Sequence, residues 1–150
     1  MTFIRNTKWT EYSLSKAFIQ TQGRFHFTNQ ESTLIRINHF LPWEADILQV
    51  SKSGKLTEFE VKINLQDWRN DFKKEKWKEK WKKTWRFYYL IPDNLSKYSN
   101  EIIMPSWAGI LSFNTHIEEI KPPGLNNIKL SVKDRLKLLR LAGLRSWYSN

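Results

Sequence analysis

The 150-residue chain has no cysteine, 5 glycines and 5 prolines. Without cysteine there is no disulfide scaffold, no thiol nucleophile and no Cys-containing zinc site, and a cytosolic setting is the default. Scarce glycine and proline beside 15% aromatic residues is not the composition of a disordered tail. No uninterrupted apolar run approaches the roughly 18 residues of a membrane span, and the opening residues Met1 to Lys8 hold no apolar core of signal-peptide length. The expectation is a folded, cytoplasmic protein with no membrane association, and at this length a single domain over residues 1–150. Acids are scarce as well: 25 Lys+Arg stand against 15 Asp+Glu, a net charge of +10. Such a surplus points to a polyanionic partner, nucleic acid first and an anionic membrane surface second.

The surplus sits in two places. Lys73, Lys74, Lys76, Lys78, Lys80, Lys82, Lys83 and Arg86 against Glu75 and Glu79 give +6. Lys129, Lys133, Arg135, Lys137, Arg140 and Arg145 against Asp134 give +5, and the rest of the chain is close to neutral. The acids Glu44, Asp46, Glu58, Glu60, Asp67 and Asp71 precede the first basic block, so an acidic site beside two cationic arms is expected.

Leu14, Ala17 and Phe18 at i, i+3, i+4 predict a helix from about Thr10 to Gln20, capped by Thr10 and ended by Gly23. Residues Ser32 to Asn38 suggest a short strand. Glu44 to Val50 and Leu56 to Ile63 read as a β-hairpin around a glycine turn. Asn64 caps a helix from Leu65 that turns Leu65, Trp68 and Phe72 inward; Trp77, Trp81 and Trp85 break that period, so either the helix ends near Lys74 or these tryptophans form a stripe on its opposite side. Arg86 to Ile91 is an apolar strand stopped by Pro92, of the kind covered on both faces. Ala108 to Phe113 and Ile117 to Ile120 are shorter strands. A basic helix over about 131–147 starts at Ser131, with Val132, Leu136 and Leu139 inward and Lys133, Lys137 and Arg140 outward.

Strand alternation puts Glu44 and Asp46 on one hairpin face, with Glu58, Glu60 and Lys62 on one face of the partner strand. The opposite face carries Ala45, Ile47, Phe59, Val61 and Ile63, so the charged face is expected to meet solvent or a substrate. A three-residue loop Lys52-Ser53-Gly54 sets Asp46 opposite Glu60, whereas a two-residue loop Ser53-Gly54 sets Asp46 opposite Val61. In the first case two carboxylates repel unless a cation lies between them. Hard oxygen donors with no cysteine and no paired histidine select Mg²⁺ or Mn²⁺; His26, His39 and His116 have no ligand spacing. Lys62 is then placed to orient a water or offset charge on a phosphate, which is equipment for metal-assisted phosphodiester hydrolysis.

Asp46, thirteen intervening residues, Glu60-Val61-Lys62, then a helix and an apolar strand resemble the PD-(D/E)XK nuclease superfamily. More narrowly, Glu44-Ala-Asp-Ile-Leu, Thr57-Glu-Phe-Glu-Val-Lys, Asp67-Trp-Arg-Asn-Asp-Phe-Lys73, Phe87-Tyr-Tyr-Leu-Ile-Pro92 and Ala108-Gly-Ile-Leu111 are similar to the small MmcB-type DNA repair proteins and their phage-encoded relatives. The resemblance implies an α/β fold with a restriction-endonuclease-like mixed β-sheet core flanked by helices. It implies a Mg²⁺- or Mn²⁺-dependent DNA nuclease with Asp46, Glu60 and Lys62 catalytic. The metal would lie on Asp46, Glu60, the Val61 backbone carbonyl and, as in some relatives, a helix carboxylate such as Glu11. It leaves room for a homodimer and for a bacterial or phage-infected cell as the setting. On this reading Lys73, Lys74, Lys76, Lys78, Lys80, Lys82, Lys83, Arg86, Lys133, Lys137 and Arg140 contact phosphates. Asp67 and Asp71 complement the helix dipole or pair with Arg69 and Lys74, outside the metal site. The alternatives are a non-catalytic DNA- or RNA-binding module on the same fold and, from the Trp/Lys segment, an anionic-membrane binder.

Overall fold

The computed structural model describes residues 9–24, 33–37, 45–51, 53–72 and 83–148. Its centre is a hairpin set by one glycine. Gly54 has φ 89°, a left-handed value that costs a residue with a Cβ about 1–2 kcal/mol. Its N–H donates to the Ser51 carbonyl (2.9 Å), while the Ser51 N–H donates to the Lys55 carbonyl (3.0 Å). The loop is therefore the three-residue one. It joins β2 (Ala45–Val50) to β3 (Leu56–Val61) in an antiparallel register that pairs Val50 with Leu56 and Ile47 with Phe59.

Around this hairpin runs a six-stranded mixed sheet in sequence order, with β1 (Thr33–Ile37), β4 (Arg86–Pro92), β5 (Ala108–Phe113) and β6 (Ile117–Lys121). β3, β4 and β5 are parallel, and the other pairs are antiparallel. Parallel neighbours need crossovers. That from β3 to β4 includes α2 (Leu65–Asp71), and that from β4 to β5 contains a 3-10 helix (Asp93–Glu101) whose Leu95 and Tyr98, three residues apart, pack inward. The chain is thus an α/β protein with a mixed sheet flanked by helices.

The sheet has a core on each face. On one, Leu14 and Phe18 of α1 (Glu11–Arg24) pack with Ile47, Phe59, Val61, Tyr88, Leu90 and Phe113. Thr10 caps α1 as expected, its Oγ1 accepting from the Ser13 N–H at 3.0 Å, but the helix runs through Gly23 to Arg24 because a lone glycine weakens a helix without ending it. On the other face, Trp68 of α2 packs with Phe87, Tyr89, Ile91 and Ile110.

Two helix faces differ from expectation. In α2 the inward row is Leu65, Trp68 and Asp71; Phe72 is 43% exposed and Asp71 fully buried. In α3 (Val132–Tyr148), Ser131 Oγ caps the helix by accepting from the Asp134 N–H at 3.1 Å, but Val132 and Leu136 are 70% and 62% exposed while Leu138 is buried. Asp134 and Arg135 are half-buried beside it. The Leu139 side chain lies outside the described residues, as do Trp77 and Trp81; Lys133, Lys137 and Arg140 point outward as expected. β4 also includes Pro92, whose missing N–H is harmless at a strand end.

Candidate active site

β3 brings Glu58 and Glu60 to the face that α2 covers, since they align with Phe87 and Tyr89 of β4. The charged face therefore does not meet solvent. Glu58, Glu60 and Lys62 are all buried, because α2 and its Trp68 lie over this part of the sheet. The β2–β3 ladder runs from the pair Val50–Leu56 to the pair Ile47–Phe59 and ends one residue short of Asp46 and Glu60. At that point the Val61 N–H, which an unbroken ladder would turn toward the Ala45 carbonyl, donates to Asp46 Oδ2 at 2.8 Å. The half-buried carboxylate of Asp46 is thus oriented by the backbone at the end of the hairpin farthest from its turn.

Lys62 follows the last residue of β3, and its N–H donates to the Leu90 carbonyl at 3.0 Å, which fixes the start of the side chain. Its Nζ lies 3.5 Å from Glu60 Oε1 and 3.0 Å from Asp71 Oδ1. The Tyr89 hydroxyl donates to the other oxygen of Asp71 at 2.6 Å. Burial first, and then the Asp71 charge, push the Tyr89 hydroxyl far above its ordinary value, so it stays a donor. Asp46, Glu60 and Lys62 are therefore brought to one end of the sheet, and Asp71 and Tyr89, absent from the expected site, complete the group. The signal for Asp71 was its spacing: it stands at i+3 from Trp68 and i+6 from Leu65.

The other acids have other work. Asn64 Oδ1 accepts from the Asp67 N–H and Asn64 Nδ2 donates to Asp67 Oδ2, both at 2.8 Å, so Asp67 belongs to the α2 cap. Arg69 pairs with Glu101 at 3.3 Å, not with Asp67 or Asp71. Glu11 is exposed in the first turn of α1, whose Leu14 and Phe18 pack on the opposite face of the sheet from Glu60. Glu44, His26 and His39 lie outside the described residues, and His116 is exposed in the β5–β6 turn.

The fit of a divalent cation turns on donor chemistry. Two carboxylates and the Val61 carbonyl are hard oxygen donors, which suit Mg²⁺ or Mn²⁺. Among the described residues no group of three or more His, Asp or Glu side chains is arranged to hold a metal ion. The donors fit a cation that keeps several waters and takes further oxygens from a phosphate, as Mg²⁺ does on one or two carboxylates.

Cationic side chains gather at the turn end of the hairpin. Lys55 Nζ and the Arg86 guanidinium lie 4.8 and 4.5 Å from the Trp85 ring centroid, and Arg86 Nε donates to Thr57 Oγ1 at 2.9 Å. Lys83 pairs with Asp134 at 3.0 Å, and the Leu130 N–H donates to the Gly54 carbonyl at 2.8 Å, which ties the start of α3 to the turn. These cations sit at the opposite end of β3 from Glu60, not beside the acids, because β4 enters the sheet against Thr57. Trp85 is half-buried among them. Lys73, Lys74, Lys76, Lys78, Lys80 and Lys82 lie outside the described residues.

The α/β sheet with its flanking helices has a solved counterpart. The SPO1766 protein of unknown function from Silicibacter pomeroyi superposes with a TM-score of 0.61 at 14% identity, over 89% of this chain and 84% of that one. At that identity the likeness is one of fold. No family model and no curated protein matches the chain. Among the described residues no helix is long and apolar enough to cross a membrane.

Proposed function

We propose that the chain is a metal-dependent DNA nuclease of the restriction-endonuclease-like, PD-(D/E)XK type, an endonuclease in preference to an exonuclease, serving DNA repair, recombination or phage DNA processing. The observation that supports the reading is the open end of the hairpin, where the Val61 N–H orients the Asp46 carboxylate at 2.8 Å and the Lys62 ammonium lies 3.5 Å from Glu60. Asp46, Glu60 and the Val61 carbonyl would hold Mg²⁺ or Mn²⁺. When bound, such an ion polarises a phosphoryl oxygen and acidifies a water. The Val61 N–H keeps Asp46 aimed at the end of the hairpin. Lys62 offsets charge that develops on the phosphate or orients the attacking water, and its burial strengthens that interaction by excluding solvent. Arg86, Lys133, Lys137 and Arg140 hold the phosphate backbone.

Purified protein incubated with plasmid, linear and branched DNA and Mg²⁺ or Mn²⁺ should cleave, and Glu60→Ala or Lys62→Ala should abolish cleavage. Cleavage that persists in both variants would overturn the site assignment. One observation favours the second reading, a non-catalytic nucleic-acid-binding module: the ammonium of Lys62 already pairs with both Glu60 and Asp71. The readings part on metal. The enzyme gains thermal stability from Mg²⁺ and loses that gain on Asp46→Asn, whereas a module that only binds DNA shows no such gain.

A further inference from the structure

Asp71 and Tyr89 belong to the same buried cluster but have no part in the mechanism above. The Lys62 ammonium is nearer to Asp71 (3.0 Å) than to Glu60 (3.5 Å). Asp71 uses both oxygens: Oδ1 faces the ammonium and Oδ2 accepts the Tyr89 hydroxyl at 2.6 Å. Tyr89 aligns with Glu60 in the β3–β4 ladder, so the register that delivers Glu60 also delivers the group that fixes Asp71. On the helix side, Asp71 is set in place by the Asn64 cap and by Trp68, whose ring packs 5.9 Å from that of Tyr89. A flexible four-carbon side chain is thus held at its tip by a carboxylate that is itself immobile.

We infer that Asp71, oriented by Tyr89, is the positioning residue for Lys62: it holds the ammonium in place when Glu60 turns to the metal. With Glu60 as sole anchor, one carboxylate would serve both an ammonium and a divalent cation, and the arriving cation would repel the ammonium. Asp71 removes that competition and keeps the Lys62 ammonium in place. The catalytic consequence rests on the nuclease reading; the positioning itself does not.

The test uses the full chain labelled with ¹⁵N at the lysine side chains. The Lys62 ammonium resonance, identified by its loss in Lys62→Arg, is expected to be sharp because its protons exchange slowly. Asp71→Asn should broaden it beyond detection, Asp71→Glu should restore it in part, and Tyr89→Phe should broaden it less. In DNA cleavage, Asp71→Asn should lower kcat about 10- to 100-fold, the range typical of a supporting partner of a site ligand, with KM little changed. Asp71→Glu should recover part of the loss, and Glu118→Gln, exposed on β6, should lose none. Should Asp71→Asn fail to fold, Tyr89→Phe, which removes one hydroxyl, carries both measurements. An unaltered ammonium resonance in Asp71→Asn, or in Tyr89→Phe if that variant stands in for it, overturns the inference. If the wild-type protein cuts no DNA with either metal, the nuclease reading fails and the ammonium resonance still decides whether Asp71 positions Lys62.

Discussion

Lys62 carries its ammonium to a place where only 6% of the residue meets solvent, between the carboxylates of Glu60 and Asp71. Breaking a buried pair by removing one partner typically costs about 3–5 kcal/mol, because the other charge is left uncompensated. Lys62→Met is expected to lose stability in that range, read from chemical denaturation, and Lys62→Met with Asp71→Asn should lose less than the two single changes together. A loss under about 1 kcal/mol would be the behaviour of a hydrated surface pair and would contradict the burial. A second residue-scale effect concerns the tyrosines. The Tyr88 hydroxyl donates to Glu119 Oε1 at 2.7 Å, and burial, followed by that bond, pushes it up to about 12 from 10.0. Its contribution to stability is whole below pH 10, where folded and unfolded states both keep the proton. Above that pH the unfolded chain ionises first, so stability falls and the contribution is gone once pH rises through about 12. Tyr89 acts in the same direction. Denaturant midpoints measured against pH should therefore drop above pH 10, with a shallower drop in Tyr88→Phe; equal slopes would refute the assignment.

At the scale of elements, the turn does the positioning. A Cβ on Gly54 would have to adopt φ 89° and would come within 3.3 Å of Arg135 Cδ. Gly54→Ala is expected to cost about 1–2 kcal/mol in denaturation and, by loosening the register, to reduce the Mg²⁺-induced thermal shift. An unchanged shift in the variant would separate the turn from the site. This turn was also what the sequence made legible: counting inward from Ser51 and Lys55 through a three-residue loop puts Asp46 against Glu60, and the hydrogen bonds select that loop. Caps at Thr10, Asn64 and Ser131 were legible for the same reason, being local chemistry. Helix faces were not. In α2 residues 71 and 72 both fall within the inward arc, and an apolar criterion prefers Phe72 to an acid. Asp71 is buried only because β3 and β4 supply Lys62 and Tyr89, partners that no local pattern reveals. In α3 the same criterion turned Val132 and Leu136 inward, whereas the helix buries Leu138 and leaves those two in water.

At the scale of the whole molecule, the described charges of the site and of the turn stand at the two ends of β3. Glu60 and Lys62 lie at one end of β3, while Lys55 lies before its first residue and Arg86 aligns with Thr57 near that same end. At about 3.3 Å per residue, Lys55 and Arg86 stand roughly 10–17 Å along the strands from Glu60. That exceeds the screening length of roughly 8 Å at physiological salt. The cations at the turn and the acidic site should therefore be separable by experiment. Replacing Lys55 and Arg86 together by Gln is expected to lower the slope of log binding constant against log salt by about 1 for each phosphate contact removed. The Mg²⁺-induced thermal shift should stay at its wild-type size in the same protein. Asp46→Asn should do the reverse, removing the metal effect while leaving the salt slope unchanged. If the Lys55 and Arg86 pair leaves the salt slope at its wild-type value, these two side chains do not contact the DNA backbone, and the contacts come from the outward face of α3 or from the lysines between Lys73 and Lys82.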